Sequence, residues 1–298
     1  MQLQLLPSHK IDEQKWDACL YNSVNPLIYA SSVYLNNMTD NWDGIIADDY
    51  AAVMPIPWKK KFGIKYCCNV PFIQQLGLFS EATEEQKLNE FAMLLLQSFR
   101  YGDYAFNHAN NLEKGRIAKN YILSLASNYR SLSFFYSDNL KANLEKAAQQ
   151  SFEYRNADAE QVIHLFRELY AGRFPHVILK DYNNFSNLCK IKEAENNLIA
   201  CEVVLNKKVL AMNLLLKDKY RIYSLMPCVT DEGRALCAGH FLFDRLIKEF
   251  SQTGLMFDFE GSDIPGIENF NKSFGAINQP YRKIHINRLL PFLRLLKH

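Results

Sequence analysis

The sequence lacks the glycine patterns that mark several common enzyme families. Neither a G-x-G-x-x-G dinucleotide fingerprint nor a P-loop occurs in its 298 residues. A G-x-S-x-G nucleophile elbow is also missing, which argues against an α/β-hydrolase. His108, His164 and His240 have no companions at metal-ligand spacing. The sequence therefore predicts no metal site and no nucleotide-binding fold of these types.

Disulfide, export and membrane signals are missing as well. The seven cysteines form no C-x-x-C pair, and their odd number favours reduced thiols over a disulfide framework. The N-terminus has no basic segment followed by an apolar run, and no apolar run approaches the ~18 residues of a membrane helix. We therefore expect a cytoplasmic protein without a membrane span.

Positive and negative side chains nearly balance, with 34 Lys and Arg against 32 Asp and Glu. The formal net charge is only +2, and hydrophobic residues make up 48% of the chain. Such a composition supports a packed core, and it lacks the strong basic excess of a dedicated nucleic-acid binder. We therefore expect no DNA partner.

Two stretches of the sequence follow the same order of elements at similar spacing. Each contains a hairpin, at residues 42–57 and 198–216, followed by a strand, an amphipathic helix and another strand. Asp138 and Asp158 are predicted to cap two helices that open the second copy. The pattern predicts an α/β chain of two tandem domains, residues 1–135 and 136–298.

A strand with two carboxylates lies near the end of the second copy. In Met256–Glu260, alternation places Asp258 and Glu260 on one face, whereas interior strands of α/β sheets are usually apolar on both faces. Two such carboxylates are candidates for accepting a proton in catalysis. Gly261 and Ser262 follow in a turn and could contact a ligand.

A loop that leads into a helix, predicted from about Ala235 to Phe250, is a second candidate site. Helix N-termini expose unpaired N–H groups and a positive dipole end, which together favour a phosphate-bearing ligand. The segment reads Arg234-Ala235-Leu236-Cys237-Ala238-Gly239. It resembles the GNAT pyrophosphate loop, R/Q-x-x-G-x-G/A, with Cys237 in place of a glycine.

The segment from Asp258 to Ala276, DFEGS…GIENFNKSFGA, resembles the Fem-type (FemABX) peptidyltransferases of the GNAT superfamily. In that group a D-F-x-G strand end precedes an F-K-x-x-F-G helix. The resemblance implies two tandem GNAT-like domains, each a mixed, mainly antiparallel sheet flanked by helices. It also implies that two splayed strands of the second domain form the acyl-donor cleft. The proposed donor contacts are Arg234, Ala235, Cys237, Ala238, Gly239, Gly261 and Ser262.

The same resemblance suggests residues for the acceptor. Asn271 stands where the family has its helix lysine, and Lys272 follows one residue later. Lys141 lies at a basic position of the helix between the domains, and Lys59 belongs to the run Trp58–Lys61. Tyr281, on the last strand, is a candidate general acid. The first domain has no pyrophosphate-type loop, which predicts a degenerate donor site there.

Three functional hypotheses follow. The leading one is an N-acyltransferase that moves an acyl group from acetyl-CoA or another acyl-CoA onto a small-molecule or peptide amine. A second uses aminoacyl-tRNA as the donor, as the Fem-type resemblance implies. The third is a non-catalytic tandem that acts as a binding or scaffold module, which the departures at Cys237 and Asn271 favour.

Overall fold

A computed structural model of the chain describes residues 2–82, 85–261 and 264–289. The described chain divides into two compact units. One contains the residues up to Ala118 together with the segment that starts at Pro280, and the other is Lys119–Gln279. No helix among the described residues is long and apolar enough to cross a membrane.

Strands and helices alternate along the chain. The strands are β1 Leu3–Pro7, β2 Trp42–Ala47, β3 Ala52–Lys61, β4 Ile64–Cys67, β5 Phe79–Ser80, β6 Tyr101–Ala105, β7 Arg116–Ala118, β8 Tyr121–Ser124, β9 Glu153–Asn156, β10 Leu198–Leu205, β11 Lys208–Lys217, β12 Arg221–Ser224, β13 Cys228–Val229, β14 Met256–Asp258, β15 Ile277–Asn278 and β16 Tyr281–Asn287. The α-helices are α1 Glu13–Asn22, α2 Ser32–Met38, α3 Glu85–Ser98, α4 Tyr129–Phe134, α5 Asp138–Ala148, α6 Ala159–Tyr170, α7 Leu179–Ala194, α8 Asp231–Ala235, α9 Ala238–Glu249 and α10 Pro265–Ser273.

The first unit is built on a sheet with the order β1-β2-β3-β4-β6-β16-β7, and β5 pairs with β3. Strands β2 and β3 form the predicted hairpin, whose partners run from Trp42↔Pro57 to Ala47↔Ala52. All pairs are antiparallel except β4–β6, which is parallel at Cys67↔Gly102. Beyond that pair lies a cavity of about 10 Å³ between residues 68–76 and 104–105, which is room for about one water molecule.

The second unit has a sheet with the order β15-β8-β14-β12-β11-β10-β9, and β13 pairs with β11. Its hairpin β10–β11 turns at Asn206 and Lys207, which both have positive φ (50° and 66°). A two-residue turn of this kind matches the twist of the flanking strands. Only β12–β14 is parallel. Both sheets are therefore mixed and mainly antiparallel, and with their flanking helices they confirm the predicted α/β fold of two tandem GNAT-like domains.

The compact units do not coincide with the ranges 1–135 and 136–298. β8 lies between β14 and β15 in the second unit's sheet, although it precedes residue 136. β16 lies between β6 and β7 in the first unit's sheet, although it ends the described chain. The choice of strand partner depends on contacts far apart in sequence, which local patterns do not encode.

Two local predictions about helices differ from the structure. Asp158 caps α6 as expected, because its Oδ1 accepts the Gln161 N–H at 3.0 Å. Helix α5 is instead capped by Ser137, whose Oγ accepts the Leu140 N–H at 3.2 Å, and Asp138 is its first helical residue. The predicted helix from Ala235 is interrupted, because Cys237 takes a left-handed conformation (φ 62°) between α8 and α9.

Candidate functional site

Strands β12 and β14 run side by side and then part. They pair in parallel from Arg221↔Met256 to Tyr223↔Asp258. Beyond this point β13 pairs with β11, and the Phe259 N–H donates to the Tyr121 carbonyl oxygen of β8 at 2.9 Å. The carboxyl ends of the two parallel strands therefore diverge, a place where α/β proteins commonly bind ligands.

Helix α9 connects these two strands. Its first i→i−4 hydrogen bond runs from the Phe241 N–H to the Cys237 carbonyl oxygen at 3.1 Å. The N–H groups of residues 238–240 therefore come before the first hydrogen bond of this type in the helix. Over a 12-residue helix, the backbone dipoles also place partial positive charge at this end. The N-terminus of α9 is therefore suited to an anionic group such as a phosphate.

Cys237 has a backbone conformation that favours glycine, the residue that the similar GNAT loop has at this position. Its φ of 62° lies in the left-handed region, which glycine adopts without the steric cost that other residues incur. The Cys237 side chain is buried, and its Sγ lies 3.6 Å from Asn143 Oδ1 of α5. The thiol is thus turned toward α5, and only the backbone of Cys237 is suited to contact a ligand.

Two further groups border the start of α9. The Asn143 amide nitrogen lies 3.4 Å from His240 Nε2, and burial lowers the pKa of His240. The His240 ring packs against Phe270 of α10 with 5.0 Å between ring centroids. At neutral pH the His240 imidazole beside the first turn of α9 is therefore uncharged.

Arg234, predicted to contact the donor, lies in α8 together with Ala235. Its guanidinium donates to Asp231 Oδ1 at 2.8 Å and to the Tyr170 hydroxyl at 3.3 Å. The Asp231 side chain is almost fully exposed, so this ion pair is weak and can be exchanged for another anion.

Asp258 is held in a buried polar network at the end of β14. Its Oδ2 accepts hydrogen bonds from Arg221 Nη1 at 2.9 Å and from the Asn120 amide at 3.2 Å. Its Oδ1 accepts the backbone N–H of Glu260 at 3.0 Å. Arg221 Nη1 also donates to Gln279 Oε1 at 3.0 Å. Burial raises the pKa of Asp258, and the neighbouring guanidinium opposes that rise. Both carboxylate oxygens are thus occupied by donors.

Glu260 follows in a left-handed conformation with φ 62°. It is half-buried, and its backbone position is fixed by the hydrogen bond to Asp258. Gly261 is exposed next to it. Ser262, the remaining predicted contact of this turn, lies outside the described residues.

A second charged cluster joins α10 to β8. Glu268 accepts hydrogen bonds from Lys119 Nζ (2.7 Å), Lys272 Nζ (2.6 Å) and the Tyr121 hydroxyl (2.9 Å). These three donors, Lys119 first, lower the pKa of Glu268 to about 2. Lys272 also lies over the Tyr121 ring, 5.7 Å from its centroid. Lys272 therefore already has a carboxylate partner within its own helix.

This cluster predicts a specific pH dependence of stability. Because the folded pKa is depressed from 4.5 to about 2, ionised Glu268 stabilises the fold fully above pH 4.5 and progressively less as pH falls toward 2. Glu268→Gln removes that contribution. Urea unfolding should show a wild-type advantage at pH 6 that shrinks toward zero near pH 2. An advantage of equal size at both pH values would contradict the assignment.

Asn271 occupies the position of the family lysine and is buried in α10. Its side-chain Nδ2 finds no hydrogen-bond partner among the described residues. The flanking Phe270 and Phe274 rings both pack against Phe243 of α9, at 5.0 and 5.9 Å between centroids. An unmatched buried donor is costly, and a ligand oxygen would satisfy it.

The other predicted residues lie elsewhere. Lys141 is exposed on α5, with its Nζ 3.5 Å from the Phe134 carbonyl oxygen. Within the first unit, Lys59 lies 3.8 Å from Asp40 Oδ2. Tyr281 is also in the first unit, in a small buried cluster with Ala105 and Ala118. Among the described residues, no group of three or more His, Cys, Asp or Glu side chains could hold a metal ion.

Several residues of these clusters were not predicted from the sequence. Arg221 gave no usable signal, because its pairing with Asp258 depends on the register of β12 and β14. Asn120 and Gln279 gave none, since they meet Asp258 and Arg221 only through the strand order of the sheet. Lys119, Tyr121 and Glu268 are likewise brought together by long-range contacts.

Comparisons with known proteins agree with this geometry. Residues 136–271 match the family model described as "Acetyltransferase (GNAT) domain". A search of curated proteins by sequence finds no match.

Among solved structures, the chain is similar to FemX at TM-score 0.68 and 13% identity, over 100% of both chains. A tandem GNAT protein from the clavulanic acid biosynthesis pathway has TM-score 0.54 and 10% identity, over 96% of this chain and 99% of that one. L-PGS from Bacillus licheniformis also has TM-score 0.54, at 12% identity, over 96% and 95% of the two chains. Residues 136–271 thus match a GNAT domain, and the whole chain has a tandem GNAT-like fold similar to that of FemX.

Proposed function

We propose that the protein is an N-acyltransferase that uses an acyl-CoA, such as acetyl-CoA, and transfers its acyl group to an amine of a small molecule or peptide. The observation that carries the proposal is the N-terminus of α9 between the diverging strands β12 and β14, inside the segment that matches a GNAT domain. The N–H groups of Ala238 and Gly239 and the dipole of α9 are suited to the donor's pyrophosphate.

The other donor contacts follow from the loop. Arg234 would exchange its exposed partner Asp231 for a phosphate. The contacts of Ala235 and Cys237 stay predictions, since the Cys237 N–H donates to the Arg234 carbonyl oxygen at 3.2 Å. Gly261, which is exposed next to Glu260, would border the acyl end, and the contact of Ser262 stays a prediction. The unmatched Asn271 Nδ2 would donate to the acyl carbonyl oxygen. A buried donor that is fixed before binding stabilises negative charge that develops on such an oxygen.

Glu260 is the proposed proton acceptor. The amine nitrogen forms a bond to the donor's carbonyl carbon, the carbon–sulfur bond breaks, and the proton that the amine loses passes to Glu260 directly or through water. Asp258 is the positioning residue, because its carboxylate is occupied by Arg221 and by the Glu260 backbone. The role of Tyr281 as general acid for the leaving thiolate stays a prediction, because Tyr281 belongs to the first unit.

Lys141 and Lys272 of the second unit are proposed to contact an anionic group of the acceptor, and the contact of Lys59, in the first unit, stays a prediction. Each lies near a carboxylate that such a group would displace. The first unit is proposed to have lost donor binding, because residues 69–82, which follow its strand β4, contain no pyrophosphate-type loop. A non-catalytic binding role is the second candidate, favoured by the occupied carboxylate of Asp258 and the strained Cys237.

Thermal unfolding with acetyl-CoA tests the donor assignment. At 100 times its Kd, acetyl-CoA should stabilise the fold by about 2.7 kcal/mol, which raises Tm. Arg234→Glu should abolish most of this shift with little change in the ligand-free Tm, because its own ion pair is exposed.

Lys248→Glu, the same charge reversal at the other end of α9, is the matched control and should keep the acetyl-CoA shift. If aminoacyl-tRNA raises Tm and acetyl-CoA does not, aminoacyl-tRNA becomes the proposed donor. No shift with either donor would favour the non-catalytic role.

A further inference from the structure

The hairpin formed by β3 and β4 extends beyond the sheet of the first unit. Pairing of β3 with β2 ends at Trp42↔Pro57, and β4 meets β6 only at Cys67↔Gly102. Between these points, residues 59–61 pair only with residues 64–66. A Cβ placed on Gly63 would have no atom within 4 Å. The end of the hairpin is therefore a two-stranded projection.

Phe62 lies at the tip of this projection. Its exposed fraction of 76% is the highest among the large hydrophobic side chains of the described residues. Phe62 and Gly63 have φ of 49° and 79°, a turn geometry in which Asn-Gly is preferred and a phenylalanine is strained. The chain thus places an exposed aromatic ring where both solvation and backbone geometry oppose it.

Lysines flank Phe62 on both sides in the sequence. Lys59, Lys60, Lys61 and Lys65 lie within eight residues that contain no acidic side chain. Lys59 and Lys65 are near Asp40 and Asp43 of the same unit, at 3.8 and 3.3 Å. Lys60 and Lys61 are exposed and form no ion pair within the part of the chain that the structure describes. Lys61 Nζ lies 5.5 Å from the centroid of the Phe62 ring.

We propose that this basic tip, residues 59–65, docks on the surface of an anionic lipid bilayer. The Phe62 ring would enter the boundary between headgroups and acyl chains, a depth that suits aromatic residues of peripheral proteins. The lysine side chains behind it are long enough to reach the lipid phosphates, whose negative surface potential attracts them. The inference is independent of the transferase proposal, because Phe62, Lys60 and Lys61 have no part in that proposal.

A nucleic acid is the competing anionic partner, and the same residues disfavour it. Proteins that bind single strands present several aromatic platforms along a basic groove, whereas this tip has one exposed ring and no arginine. The net charge of +2 for the whole chain adds no broader basic surface.

Co-sedimentation of the full chain with vesicles tests the proposal. Binding should be strong with vesicles of phosphatidylcholine plus phosphatidylglycerol, weak with phosphatidylcholine alone, and reduced by salt. Phe62→Asn should lower the partition coefficient roughly tenfold, since burying a phenylalanine ring is worth about that factor or more. Asparagine is preferred in this turn, so the variant should fold at least as well as the parent. Lys60→Gln with Lys61→Gln should lower binding by a similar factor.

Phe134→Asn is the matched control, because Phe134 is equally exposed (75%) but lies on α4. It should leave binding unchanged. The proposal is overturned if neutral and anionic vesicles bind equally, if Phe62→Asn has no effect, or if Phe134→Asn has the same effect. Binding to tRNA that requires Phe62, without binding to vesicles, would assign the tip to nucleic acid instead.

Discussion

Replacing Arg221 with methionine is expected to lower the free energy of unfolding by about 3–5 kcal/mol at neutral pH, the range for breaking a buried ion pair. Arg221 and Asp258 are both buried, and Nη1 and Oδ2 are 2.9 Å apart. The variant leaves the Asp258 carboxylate in a low-dielectric site with only the Asn120 amide and the Glu260 N–H as donors. Urea unfolding monitored by circular dichroism measures the loss, because the three tryptophans, Trp16, Trp42 and Trp58, all lie in the first unit.

A double variant separates the ion pair from general packing. Arg221→Met combined with Asp258→Asn removes both charges, so it should be more stable than Arg221→Met alone although it has one more substitution. A loss below about 1 kcal/mol for Arg221→Met would mean that water reaches the carboxylate and that the pair behaves like a surface pair.

Glu260→Gln is expected to reduce acyl transfer by about 10²–10⁴-fold, the usual contribution of a positioned general base. Glutamine keeps the size of the side chain but cannot take up the amine proton. Release of free CoA thiol from acetyl-CoA in the presence of an accepted amine measures the rate.

Donor binding distinguishes this loss from a structural defect. The Tm shift caused by acetyl-CoA should be the same for Glu260→Gln and for the parent. Glu249→Gln, at the exposed end of α9, is the matched control and should keep full activity. Equal rates for Glu260→Gln and the parent would remove Glu260 from the mechanism and leave Asp258 as the remaining carboxylate of that strand.

Local signals in the sequence were sufficient for much of the fold. The turn at Asn206-Lys207 and the alternation in the flanking strands encode the hairpin β10–β11 within a few residues. The spacing of apolar residues encodes α9, with Phe243 and Ile247 buried on its inner face. Such elements depend on near neighbours, so a single sequence carries the information.

The functional clusters depend on contacts between residues that are far apart in the sequence. Asp258 was recognised as an unusual charge in a strand, but its partner Arg221 is 37 residues away and is identified only by the register of β12 and β14. Asn120 is 138 residues from Asp258. The left-handed turn at Cys237 was also invisible, because cysteine rarely adopts that conformation and tertiary contacts with Asn143 help to hold it there.

The strand order sets limits on how the chain can acquire its structure during synthesis. The first unit needs β16, the last described strand, to join β6 to β7. The second unit comprises Lys119–Gln279, and among the described residues it contains no strand after β15. Proteins emerge from the ribosome N-terminus first and usually fold domain by domain in that order. Here the order of completion is reversed: the unit Lys119–Gln279 can finish first, and the unit that contains β1 to β7 stays open until β16 has been synthesised.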